Sequence, residues 1–112
     1  MISKEYIDNL FRQLSEIEAA LSDPAVSSNQ RKFRQLIKEH NRLKKMRDKA
    51  SRFQKLNDEV EGHRALLSDD NADAELKQLA ETEIESLEES LKSAEKELTV
   101  AMLPSESDNE RS

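Results

Sequence analysis

The 112 residues are 38% charged and only 4% aromatic, with one Gly, two Pro, no Trp and no Cys. So little aromatic and turn-forming material excludes a broad globular interior and disfavours sheets, and the missing Cys excludes disulfides and thiolate metal sites. The net charge of −6 hides a polarity: residues 1–30 carry 2 basic and 5 acidic side chains, 31–55 carry 11 and 2, and 56–112 carry 5 and 17.

The first predicted element rests on Ile7, Leu10, Leu14, Ile17 and Leu21. Their spacings alternate between three and four, which lays an apolar stripe along one helical face. Ser3 is its expected cap, and Glu5 falls in the first turn where the helix dipole favours a carboxylate. Pro24 restricts the residue before it and lacks a donor, so the helix should stop at Ser22-Asp23 and the next should start in Ser27-Ser28-Asn29-Gln30.

From about Asn29 the pattern resumes through Phe33, Leu36, His40, Leu43, Ala50, Phe53, Leu56, Val60 and Leu67. No proline interrupts it before the turn-like Asp69-Asp70-Asn71, which predicts a rod of roughly 40 residues, about 60 Å long. The third helix reads Leu76, Ala80, Ile84, Leu87, Leu91, Ala94, Leu98 and Ala101 at near-heptad spacing, with Pro104 ending it. Short connections favour antiparallel neighbours. The expected fold is therefore all-α: three antiparallel helices, a short one bracing a long, coiled-coil-like helical hairpin. Aligning helix ends sets helix one beside roughly residues 30–49 of helix two. Residues 1–103 form the helical domain, and 104–112 read as a polar linker, since SESDNERS has no apolar residue. Gly62 inside the long helix costs about 1 kcal/mol relative to Ala; a close approach of helix three, a bend in the hairpin or neutral drift would each account for it.

Nothing in the chain suggests catalysis, a cofactor or a metal. The two histidines, His40 at a seam position and His63 beside Gly62, join no nucleophile and base, and a single glycine cannot build a phosphate-cradling loop. Glu81, Glu85, Glu88 and Glu95 have the spacing of a solvated helical face. Met1 is followed by Ile-Ser-Lys-Glu-Tyr rather than a basic and then apolar leader. No window approaches the roughly 18 apolar residues of a membrane span, so a soluble cytoplasmic chain without membrane contact is expected.

The basic segment carries the functional signal. Arg31, Arg34, Lys38, Arg42, Lys45, Lys49 and Arg52 fall within a wedge of about 80° on the long helix, centred opposite the Leu36, His40, Leu43, Ala50 stripe. Like charges so placed repel by a few tenths of a kcal/mol per neighbouring pair. Three readings are open: a solvated face balanced by acids of the other helices, a phosphate-backbone contact such as rRNA, and an acidic protein partner. The missing aromatics weigh against single-strand reading by stacking.

The order of these features resembles a known family. Leu21-Ser22-Asp23-Pro24, then Phe33-Arg34-Gln35-Leu36 with Lys38-Glu39-His40, then the acidic third helix and the Leu103-Pro104 exit with Asp108-Asn109-Glu110-Arg111 resemble the N-terminal domain of bacterial class I peptide chain release factors. The resemblance runs from about Tyr6 to Arg111. It departs at the start of the third helix, where the family usually has an Asp-Pro pair and this chain has Asn71-Ala72-Asp73. The family continues into codon-reading and peptidyl-tRNA hydrolysis domains, and its Gly-Gly-Gln and Pro-x-Thr motifs do not occur in these 112 residues. The resemblance implies a non-catalytic spacer or interaction domain of a translation termination factor. It also implies a position near the ribosomal stalk base and GTPase-associated region, and contact with the class II release factor GTPase. The alternatives are a stand-alone helical adaptor, self-associating through Leu66, Leu67 and Leu76 near the hairpin tip, and a weak RNA-binding helical protein.

Overall fold

A computed structural model describes residues 2–103; the expected polar linker, 104–112, lies outside the described residues. The chain forms α1 (Lys4–Leu21), α2 (Pro24–Ser27), α3 (Gln30–Leu67) and α4 (Ala74–Met102). Three long antiparallel helices form the all-α hairpin and brace expected from the periodicity, in a body of 63 × 32 × 17 Å. The long axis matches α3, whose 38 residues span about 57 Å at 1.5 Å per residue.

Side chains set the helix starts. The Ser3 hydroxyl accepts the Tyr6 N–H at 3.1 Å, the Asn29 amide oxygen accepts the Lys32 N–H at 3.2 Å, and the Asp73 carboxylate accepts the Glu75 N–H at 3.2 Å. Each satisfies a donor that helical bonding leaves orphaned. Between α3 and α4 the Asp69 carboxylate accepts the Asn71 N–H at 2.9 Å, which tightens the turn at the tip. Leu103 leaves α4 in extended geometry (φ −75°, ψ 148°), as a residue before proline must.

One element was not expected. The stretch after Leu21 does not simply stop and restart: Asp23 caps a single turn, Pro24–Ser27, with Pro24 in the position where its missing donor costs nothing. This turn packs on both α1 and α3 and buries Val26. It therefore occupies the flank of the first turns of α3, and α1 is displaced along the rod. Ile7 stands beside Phe53 and Gln54, and the Glu18 carboxylate meets His40 Nε2 at 3.1 Å. Helix α1 thus braces α3 between about His40 and Asn57, several residues further along than end-to-end alignment suggests.

The core lies where all three helices overlap. Ile7, Leu10 and Leu14 of α1 meet Leu43, Met46, Ala50 and Phe53 of α3 and Ala94 and Leu98 of α4. Among the described residues every buried side chain is apolar, so the hydrophobic effect stabilises the bundle, at about 1.5–3 kcal/mol per large aliphatic side chain. The small Ala50 and Ala94, both fully buried, allow helix axes to approach at the short end of the usual range. Beyond this core the hairpin is held more thinly, with Val60 and Ala80 buried outside the main cluster.

Gly62 corrects an expectation. A Cβ built there meets nothing within 4 Å, so α4 makes no close approach to it. Its residue is exposed on an unbroken helix, and glycine's cost is uncompensated by packing. Gly62→Ala should raise stability by about 0.4–1 kcal/mol, whereas Leu98→Ala, which opens a hole at a fully buried position, should cost about 2–5 kcal/mol. Urea denaturation followed by circular dichroism checks both.

Candidate functional site: a divided basic face on the long helix

The seven cations of the ladder lie on one helix, but their surroundings differ. The buried face of α3 consists of Leu43, Met46, Ala50, Phe53 and Val60, and so turns away from the Leu36, His40 stripe as it proceeds. A near-heptad pattern on a straight helix drifts by about 20° per heptad. The later cations therefore flank α4 instead of standing opposite the core.

Lys49 and Arg52 are held there by one residue. Glu97 Oε1 accepts from Lys49 Nζ at 2.8 Å, and its Oε2 accepts from Arg52 Nη1 at 2.8 Å. All three side chains are half exposed, so the stabilisation is screened and modest. What the clamp supplies is register, because it ties α3 to α4 one residue from the buried Leu98. The Lys49 hydrogen bond and charge, with Arg52 adding to them, hold the Glu97 carboxyl below its ordinary value near 4.5.

Arg42 is committed locally. Its Nε and Nη2 donate to the Glu39 carboxylate at 3.2 and 2.5 Å, and its Nη1 reaches Met46 Sδ at 3.4 Å. The hydrogen bond from Arg42 is the main cause of a lowered Glu39 carboxyl, against a smaller opposing effect of burial. Lys38 is also engaged. Arg31, Arg34 and Lys45 are exposed and, among the described residues, have no carboxylate within ion-pair distance. The same holds for Lys32 and Lys44, which lie on the neighbouring face and were not part of the ladder. The solvent-facing cations of the ladder thus lie at the bundle end of α3, over about 21 Å from Arg31 to Lys45 at 1.5 Å per residue.

The other residues singled out have structural settings. His40 is half-buried and bridges α3 to Glu18 of α1. His63 is half-buried on the hairpin. Glu88 meets Arg64 across the hairpin at 3.4 Å, while Glu81 and Glu85 are exposed and Glu95 is half-buried. Among the described residues no group of three or more His, Asp or Glu could hold a metal ion, and no helix is long and apolar enough to cross a membrane. Glu97 was missed at the sequence level. Its partners are 45 and 48 residues away, although the heptad position beside Leu98 is a signal that could have found it.

The Glu97 clamp has a defined pH response. A carboxyl lowered in the folded state contributes stability that is fully present above its ordinary value near 4.5 and is lost as pH falls through the lower folded value. Glu97→Gln should melt at a lower temperature than the parent chain at pH 7, and the two melting temperatures should converge as the pH is taken below 4. Thermal melts at stepped pH measure this.

The profile of the PCRF domain family matches residues 10–112. Among curated relatives, peptide chain release factor 1 of Geotalea uraniireducens (strain Rf4) is 39% identical over 108 residues, which cover 96% of this chain and 29% of that protein. Peptide chain release factor 1 of Pelobacter propionicus is 40% identical over 106 residues, covering 95% and 29%. That of Geobacter sulfurreducens is 37% identical over 107 residues, covering 96% and 29%. The chain thus spans less than a third of the length of these relatives. No solved structure matches it.

Proposed function

The chain belongs to the PCRF domain family, and from that premise we propose that it is the helical N-terminal domain of a cytoplasmic translation termination factor. In that reading the whole factor directs stop-codon-dependent release of the nascent peptide on the ribosome. This domain takes no part in the chemistry and serves as a spacer that presents contact surfaces. The observation that carries the reading is the match over 96% of the chain to peptide chain release factor 1 proteins.

The shape suits such a role. A rod whose core is confined to its middle leaves two ends free for contacts at separated places. The family resemblance points to the ribosomal stalk base and GTPase-associated region, and to the class II release factor GTPase, as what those ends meet. The exposed cations at the bundle end supply the natural contact for the ribosome, whose surface is dominated by rRNA phosphate. Arg31, Arg34 and Lys45 are the residues with charge to give, because Lys49 and Arg52 are already paired with Glu97.

Replacing Arg31, Arg34 and Lys45 with Glu should weaken co-sedimentation of the 112-residue chain with ribosomes by about tenfold or more at physiological salt, with its helical circular dichroism and melting unchanged. Undiminished co-sedimentation of the triple variant would remove the basic face from the account. Failure of the parent chain to sediment with ribosomes at any salt would count against a ribosomal contact by this domain.

A further inference from the structure

The far end of the hairpin has the opposite character. Leu76 and Leu79, in the first turns of α4, are 48% and 63% exposed. They do not anchor the hairpin, because the buried residues there are Val60 and Ala80. Leu66 and Leu67, half-buried in the last turn of α3, close the same tip. Two large leucines three residues apart on one helix form adjacent points of one apolar strip. Within residues 69–83 six carboxylates stand against a single lysine, so the strip has a strongly negative surround.

The charge decides what can cover the strip. A second copy meeting this one tip to tip would bring an equally acidic surface against it, and a nucleic acid or an anionic bilayer would be repelled in the same way. We infer that the hairpin tip is a docking surface for a cationic, amphipathic protein segment, one that sets apolar side chains against Leu76 and Leu79 and Lys or Arg against the surrounding carboxylates. An amphipathic helix with anchors at i, i+3 and i+4 matches that spacing. The basic bundle end and the acidic tip then address partners of opposite charge, and the rod fixes the separation between them. This inference does not depend on the ribosomal reading of the basic face.

The test uses the 112-residue chain and a fluorescein-labelled 18-residue amphipathic peptide of Lys and Leu. Two controls replace Leu by Ser or Lys by Glu. The expected result is saturable binding of the Lys-Leu peptide, with backbone amide shifts confined to residues 63–83. Leu76→Ser with Leu79→Ser should weaken it about tenfold or more without lowering the melting temperature appreciably, and both control peptides should bind at least tenfold more weakly. Neutralising Glu85, Glu88 and Glu89 to Gln, which removes three carboxylates from the middle of α4, should leave affinity within twofold. Binding unaffected by the double leucine variant, or shifts centred on the middle of α4, would overturn the inference and leave only general attraction of a cation to an acidic protein. A concentration-dependent mass in sedimentation that the same double variant abolishes would overturn it in favour of a second copy.

Discussion

The fold depends on one shared surface: the stripe of α3 from Leu43 to Phe53, which α1 covers from one side and α4 from the other. A 38-residue helix gains little from its own hydrogen bonds in water and needs an apolar face buried against neighbours. Here that burial is concentrated in the middle of the rod. The two ends inherit their order from it, the bundle end through α2 and Val26 and the tip through Val60 and Ala80. Everything that could make contact with another molecule is carried outward from this central stripe.

Charge is distributed around the same constraint. The cations of α3 that lie alongside α4 are neutralised within the molecule, through Glu97 for Lys49 and Arg52 and through Glu88 for Arg64. Those nearer the start of α3 include Arg31, Arg34 and Lys45, which keep their charge for solvent or a partner. At the other end the carboxylates of the turn and of early α4 surround leucines that the core does not use. A rod with exposed cations towards one end and an acidic, apolar tip at the other can distinguish two partners by sign alone; under the proposed termination-factor role, the ribosome and its factors would be the setting in which that matters.

Much of this was legible in the sequence, and the parts that were not share a cause. Periods of three and four located the three long helices, and Ser3 and the Asn29 region marked the first two starts because a capping oxygen acts over two or three residues; the Asp73 cap emerged only from the structure. The single turn Pro24–Ser27 was missed because four residues contain no period. Without it the register of α1 on α3 could not be set, and Ile7 fell near the wrong part of the rod. For Gly62 the sequence leaves a close approach, a bend or neutral drift open, and only the structure reveals that nothing faces it. The spacing of the ladder could not show how its surface divides, since whether Lys49 and Arg52 are free depends on a carboxylate more than 40 residues away.

The claim that most needs direct measurement is that the basic face is divided. The affinity of the chain for ribosomes should be measured against salt concentration for the parent, for Arg31→Gln with Arg34→Gln, and for Lys49→Gln with Arg52→Gln. A cation that displaces counterions from phosphate contributes about one unit to the slope of log affinity against log salt. The account predicts a slope shallower by about one to two units for the first variant and a slope unchanged for the second. Equal losses for both pairs, or a loss only with Lys49 and Arg52, would contradict it.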